Sequence, residues 1–272
     1  MVVDLKITIN EQEYSFKEEM SLYQVAARIK GDADILILNG HIVDRDFDLN
    51  ENDQISLIRR GEVPKFEELE HLMISRHTPN IHKKVKEGKV AIAGLGGLGS
   101  NVAISLARTG VGKLLLVDFD VVEPSNLNRQ QYYIRHIGMK KTTALKEIIE
   151  QINPFIEVIT VDRKIETENI EEIFSDYQVI VEALDRATEK SKIVNGILEK
   201  LPNAKVIAGS GIGGFESSNS IKTRKAFSRL YICGDETTEA IPGRGLMAPR
   251  VLVGAGHQAN LALRLILGED EI

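Results

Sequence analysis

The chain has 272 residues, 43% apolar and 27% charged, enough for one or two globular domains with a full core. Its net charge of −6 argues against a nucleic-acid role, and it has no apolar run of the ~18 residues a membrane span needs. A single cysteine, Cys233, excludes an internal disulfide and any zinc site that needs two thiolates. The first ten residues alternate apolar and polar and lack the basic start and apolar core of a signal peptide, so the expected compartment is the cytoplasm. Residues 1–60 carry twelve Asp/Glu and seven Lys/Arg, so nearly all the acidity sits in the front segment, a first sign of a separate unit.

That front segment predicts a small β-grasp domain. Leu5, Ile7 and Ile9 alternate with polar residues, Asn10-Glu11 offers a turn, and Tyr14 and Phe16 alternate again, which makes a hairpin. Ser21 is placed to cap a short helix with Leu22, Val25, Ala26 and Ile29 on one face. Residues 35–38 read as a buried strand stopped by Asn39-Gly40, residues 50–53 as a loop, and Ile55, Leu57 and Ile58 as a last strand. This order matches a ubiquitin-like arrangement over residues 1–60. Residues 61–88 read as a connector, broken at Gly61, Pro64 and Thr78-Pro79-Asn80, with short helices over 66–74 and 81–86.

From Lys89 onward strands and helices alternate. Strands are expected over 90–93, 114–117, 158–161, 179–183 and 206–208, with helices over 99–109, 142–151, 167–174 and 188–201 between them. Such alternation implies right-handed βαβ units and a doubly wound, mainly parallel, Rossmann-like sheet over 89–272. Residues 220–227 suggest antiparallel strands, and Pro249 opens a long final helix through Leu267.

The first strand runs into Gly94-Leu95-Gly96-Gly97-Leu98-Gly99, a G-x-G-x-x-G turn ahead of a helix. Glycines there permit a tight turn and close approach of a phosphate to a helix N-terminus. By itself the motif also marks dinucleotide enzymes. Asp118 follows Gly94 by 24 residues, at the end of the second strand, where a carboxylate can hold ribose hydroxyls. Asp120 leaves the strand on the same side as Asp118, or serves as a turn residue. Beyond them lie Asn126, Arg129 and Gln130, residues suited to a polyphosphate more than to hydride transfer.

Ser125-Asn126-Leu127-Asn128-Arg129-Gln130 followed by Gly138-Met139-Lys140-Lys141 resembles the S-N-L-x-R-Q and G-x-x-K signatures of the ThiF/MoeB/HesA family, relatives of the ubiquitin-activating enzymes. The likeness returns at Asp185, at 208–214 and at Gly245-Leu246-Met247-Ala248-Pro249. The resemblance implies ATP- and Mg²⁺-dependent adenylylation of the C-terminal carboxylate of a small ubiquitin-like sulfur carrier. Carried over by position, Asp118 holds the ribose, Asn126, Arg129 and Lys141 contact phosphates with Gln130 nearby, and Asp185 binds Mg²⁺. Lys140 takes the place of Lys141 if the register slips by one. Family members form a homodimer and insert an arginine from the partner subunit; Arg76 is the candidate here.

The chain also departs from the family pattern. The two C-x-x-C zinc pairs of many members are absent, and Arg186 stands where an Asn usually follows the metal-binding Asp. Cys233 reads as an inert buried side chain or as a sulfur-transfer nucleophile. The front segment resembles the ThiS carrier, but its last strand runs Arg59-Arg60-Gly61-Glu62 and continues, with no second glycine and no free carboxylate. The front domain is therefore not itself the substrate. The expected partner is a separate ThiS-like carrier ending in Gly-Gly, in thiamine thiazole biosynthesis. Molybdopterin-carrier activation, dehydration of a modified tRNA adenosine and non-catalytic carrier binding are the alternatives. An NAD(P) oxidoreductase explains the glycines and Asp118 but leaves Asn126, Arg129 and Lys141 unused.

Overall fold

A computed structural model of the protein describes residues 4–10, 12–64, 66–75, 77 and 81–272. It divides into two compact units, Met1–Lys83 and Lys84–Ile272. In the first unit, strands β1 (Leu5–Ile9), β2 (Gln12–Phe16), β3 (Ile35–Leu38), β4 (His41–Val43) and β5 (Gln54–Ile58) form a sheet in the order β2-β1-β5-β3-β4. Strands β1 and β5 pair in parallel and the other pairs are antiparallel. Helix α1 (Leu22–Ile29) starts at a capping box, in which the Ser21 hydroxyl accepts from the Gln24 N–H and the Gln24 amide accepts from the Ser21 N–H. Its buried Leu22, Val25 and Ala26 pack with Leu5, Ile7, Ile9, Ile55 and Leu57 in one core. The ubiquitin-like arrangement expected from the alternation is the one found.

Sequence reading passed over β4. Asn39 (φ +51°) and Gly40 (φ +85°) do not merely stop β3; they form a two-residue hairpin turn into β4, which the left-handed backbone of Asn-Gly favours. After β5 the chain turns at Gly61 (φ +76°). The Arg59 guanidinium meets Asp32 at 2.8 Å, the Arg60 N–H donates to Asp34 at 2.9 Å, and Lys30 meets Glu62 at 2.7 Å. The segment that would be a free tail in a carrier is held against its own unit. Helix α2 (Phe66–Ile74) follows; the expected break at Thr78-Pro79-Asn80 and the candidate Arg76 lie outside the described residues.

Helix α3 (Ile81–Glu87) leads into the second unit. Its sheet contains β6 (Lys89–Ala93), β7 (Lys113–Asp118), β8 (Glu157–Asp162), β9 (Val179–Glu182), β10 (Lys205–Gly209), β11 (Lys222–Phe227) and β12 (Leu230–Gly234), in the order β11-β12-β10-β9-β6-β7-β8. All pairs are parallel except β11 with β12. The antiparallel pair was expected over 220–227; it instead joins 222–227 to 230–234, and β12 continues the parallel sheet. Residues alternate between two faces. Val90, Ile92, Leu114, Leu116 and Val181 pack under helices α4 (Gly97–Thr109), α5 (Lys141–Ile152) and the last helix, α8 (Ala248–Leu267). Ala91, Ala93, Leu115, Val117 and Ile180 pack under α6 (Ile170–Phe174) and α7 (Ala187–Lys200). Each such buried Leu or Ile contributes about 1.5–3 kcal/mol by its removal from water. Order reverses between β6 and β9, so the crevice for a ligand lies outside the carboxyl ends of these strands. No helix among the described residues is long and apolar enough to cross a membrane.

Candidate active site

The four glycines of the turn after β6 do different things. Gly94 has φ +91°, and a Cβ there would lie 2.9 Å from the Ala183 carbonyl oxygen, at the end of β9. A Cβ on Gly99 would lie 1.8 Å from the Gly94 oxygen, so α4 can pack onto the turn only if this residue is glycine. A Cβ on Gly97 would meet Val251 of α8 at 3.1 Å. Gly96 differs: a Cβ would find only the Gln130 Nε2 at 3.9 Å. The space beside Gly96 is open, and α4 begins there without a side-chain cap. With no side-chain cap among the described residues, its first backbone N–H groups suit an anion.

Asp118, at the end of β7, is buried and braces this turn. Its Oδ2 accepts from the Leu95 N–H at 2.7 Å and its Oδ1 from the Asp120 N–H at 2.8 Å. A carboxylate oxygen offers about two lone pairs, so each still has one for a hydroxyl donor. Below the turn, the Tyr132 hydroxyl donates to the Leu95 oxygen at 2.8 Å. Burial, and then Asp118 and Asp120, push its pKa well above the ordinary range, so it stays a donor.

The two neighbouring lysines part company. Lys141 is the first residue of α5 and only 7% exposed; its Nζ donates to Asp120 Oδ2 at 2.9 Å, and its N–H to the Asp120 oxygen at 3.0 Å. Lys140 points outward, to the Phe119 oxygen at 3.2 Å and Asp162 at 3.4 Å. Asp120 thus faces Lys141, whose amine it holds. Asn126 is buried in a 3-10 turn, Pro124–Asn126, where its Oδ1 accepts from the Glu123 N–H at 3.0 Å. The Arg129 guanidinium is exposed; Nη1 donates to the Ser125 oxygen at 3.1 Å and to Asn128 at 2.7 Å, leaving its other nitrogens without partners among the described residues. Gln130 is 9% exposed, and its Oε1 has no hydrogen-bond partner among them.

Asp185 lies in the loop between β9 and α7, exposed and without a hydrogen bond or ion pair among the described residues. Just before it sits a residue that sequence reading missed. Glu182 is fully buried at the end of β9, between β6 and β10. Its Oε1 accepts from the Leu184 N–H at 2.7 Å, and its Oε2 from Lys190 Nζ at 2.8 Å; Lys190 also donates to the Gly209 oxygen at 2.7 Å. Burial pushes the Glu182 carboxyl up while Lys190 pulls it back. The available signal was an acid closing the otherwise apolar run Val179-Ile180-Val181. Arg250 was also missed. Buried at the start of α8, it donates to the oxygens of Gly213, Glu216 and Ser217 and to Asp235, clasping two loops beyond the sheet.

Cys233 has no exposed surface. Its sulfur lies 3.6 Å from the Thr223 hydroxyl, which itself meets His257 Nδ1 at 2.8 Å. Burial pushes the thiol up to about 11. It has the environment of an inert core cysteine.

These elements and this turn have known counterparts. Residues 69–272 match the model of the ThiF family. The chain belongs to the ThiF family. Residues 5–61 of this ThiF-family chain match a second model, ThiS-like ubiquitin. The chain is 32% identical, over 71% of its length, to the sulfur carrier protein ThiS adenylyltransferase of Bacillus subtilis, covering 58% of that protein. It is 37% identical, over 41% of its length, to the molybdopterin-synthase adenylyltransferase of Haemophilus influenzae, covering 46% of that protein. It thus spans about half the length of these two curated relatives. Among solved structures, the E. coli tRNA N6-threonylcarbamoyladenosine dehydratase in complex with ATP superposes with a TM-score of 0.66 at 20% identity, over 73% of this chain and 93% of that one. That last likeness is one of fold.

Proposed function

We propose that this ThiF-family protein adenylylates the C-terminal carboxylate of a separate ThiS-like carrier ending in Gly-Gly, with ATP as the second substrate, in thiamine thiazole biosynthesis in the cytoplasm. The observation that carries the reading is the uncapped start of α4 at Gly96, flanked by Arg129 on one arm and opening beside the ribose-ready Asp118. In this reading residues 1–60 form a front domain, 61–88 a connector and 89–272 the adenylation domain.

Asp118 takes the ribose hydroxyls with its remaining lone pairs. The first N–H groups of α4, Arg129 and Lys141 take phosphate oxygens, with Asn126 and Gln130 beside them, and Asp120 keeps Lys141 in place. A carrier carboxylate oxygen attacks the α-phosphorus, the α–β anhydride breaks, and pyrophosphate leaves. Two anions approach each other in this step, so cations and helix amides aimed at the phosphates lower the barrier. No covalent intermediate on the protein is needed.

The residues fit Mg²⁺ of one kind. Among the described residues no group of three or more His, Cys, Asp or Glu is placed to hold a metal, but Asp185 is a free carboxylate. Mg²⁺ is commonly bound by one or two carboxylates together with substrate phosphates, which suits an ion brought by the nucleotide. Asp185 would hold it, and the ion would supply charge neutralisation on the departing pyrophosphate. A homodimer, with Arg76 reaching in from a second copy of the chain, completes the proposal.

ATP–pyrophosphate exchange with Mg²⁺ tests it. Exchange should require a carrier with a free Gly-Gly end, and Asp185→Ala should lower it about 100-fold or more. Exchange without any carrier, or none with either a thiamine-type or a molybdopterin-type carrier, would sink it. A net charge of −6 does not favour the second ATP-dependent reading, dehydration of a modified tRNA adenosine.

A further inference from the structure

An asparagine inside α4 links the glycine turn to the arm that carries Arg129. Asn101 is 3% exposed. Its Nδ2 donates to the Gly97 oxygen at 2.6 Å and to the Arg129 oxygen at 3.1 Å, and its Oδ1 accepts from Gln131 Nε2. The preceding Ser100 adds two bonds, donating to the Gly96 oxygen at 2.7 Å and accepting from the Gln131 N–H at 3.2 Å. Asparagine is a poor helix former, and burying an amide costs free energy unless it is paired. Here both amide hydrogens and the oxygen are used. A short side chain with two donors on one atom can bridge two carbonyls that belong to different segments; a carboxylate would repel both, and an aliphatic residue would leave the Arg129 oxygen without this donor.

Among the described residues the Arg129 guanidinium is bonded within its own turn alone, to the Ser125 oxygen and Asn128, so the fixing of its backbone decides where it points. We propose that Asn101 is a positioning residue: it pins the Arg129 backbone to the first turn of α4, so that the guanidinium and the helix amides act on the same polyphosphate. The proposal rests on the ATP reading above, in which Arg129 contacts phosphate.

The test is a double-mutant cycle on the full chain, with Asn101→Ala, Arg129→Ala and both together, reading dissociation constants for ATP and for adenosine by calorimetry. Asn101→Ala should weaken ATP about tenfold, leave adenosine within about twofold, and add little once Arg129 is alanine, because coupled neighbours are not additive. Gln131→Ala, which removes one bond and leaves Asn101 in place, should act in the same direction with a smaller effect and is the variant to use if Asn101→Ala unfolds. Equal losses for ATP and adenosine, or full additivity in the double variant, would overturn the positioning role. If instead Arg129→Ala leaves ATP affinity intact, the phosphate role of Arg129 fails first, and the positioning role falls with it.

Discussion

Gly96 and Gly99 are three residues apart, yet substitution should separate structure from ligand binding. A methyl on Gly99 would sit 1.8 Å from the Gly94 oxygen, so the backbone must move. Gly99→Ala should cost about 3 kcal/mol or more, visible as a lower midpoint in a denaturant melt. Gly96→Ala meets nothing closer than 3.9 Å and replaces glycine only at a helix N-cap, at a cost of ~1 kcal/mol or less. It should fold and still bind ATP more weakly, because the methyl enters the space proposed for phosphate. Cys233 gives a second test at this scale. With its thiol buried and pushed up to about 11, it should resist iodoacetamide at pH 8 in the folded protein and react readily in urea. Fast native labelling would restore a role in sulfur transfer.

At the scale of elements, two loops beyond the sheet are held by buried charge. Arg250 of α8 clasps the loop after β10 to the loop after β12 through Asp235. Burial pushes the Asp235 carboxyl up, but the N–H and hydroxyl donors of Thr237 and Thr238 outweigh this and hold it below the usual carboxylate range. A carboxyl that titrates lower when folded than when unfolded stabilises the fold above its unfolded pKa of about 3.9, and loses that contribution as pH falls through the lower, folded value. Asp235→Asn should therefore lower the melting temperature at neutral pH, and the gap from wild type should close in strong acid. A gap that is constant with pH would remove the charge from the explanation. Element boundaries in the parallel sheet were readable in the chain because apolar runs bounded by Gly, Asn and Asp leave few alternatives. β12 was not, since Leu230–Gly234 is a five-residue run whose partner, β10, lies some twenty residues earlier.

For the whole molecule, the distinguishing feature is a ubiquitin-like unit whose tail is not free. Lys30–Glu62, Arg59–Asp32 and the Asp34 bond to the Arg60 N–H hold that tail to its own unit. The front domain is proposed to support the dimer or carrier binding. A chain shortened to begin near residue 75 should then lose dimerisation in sedimentation experiments or bind the carrier more weakly. Unchanged behaviour in both would end that idea.

Much of this protein was determined by sequence. The alternation of strands and helices, the glycine turn and Asp118 behind it follow from local periodicity and short-range steric rules, which a linear chain carries in full; the signature from Ser125 to Lys141 was legible as a family resemblance. The tertiary structure decided what depends on distant neighbours. It set Lys141 rather than Lys140 against Asp120, joined Asn101 to the Arg129 backbone 28 residues on, and buried Glu182 against Lys190. It also removed Cys233 from solvent. Each outcome depends on which groups are brought within about 3 Å and how far water is excluded, and these are properties of packing between segments.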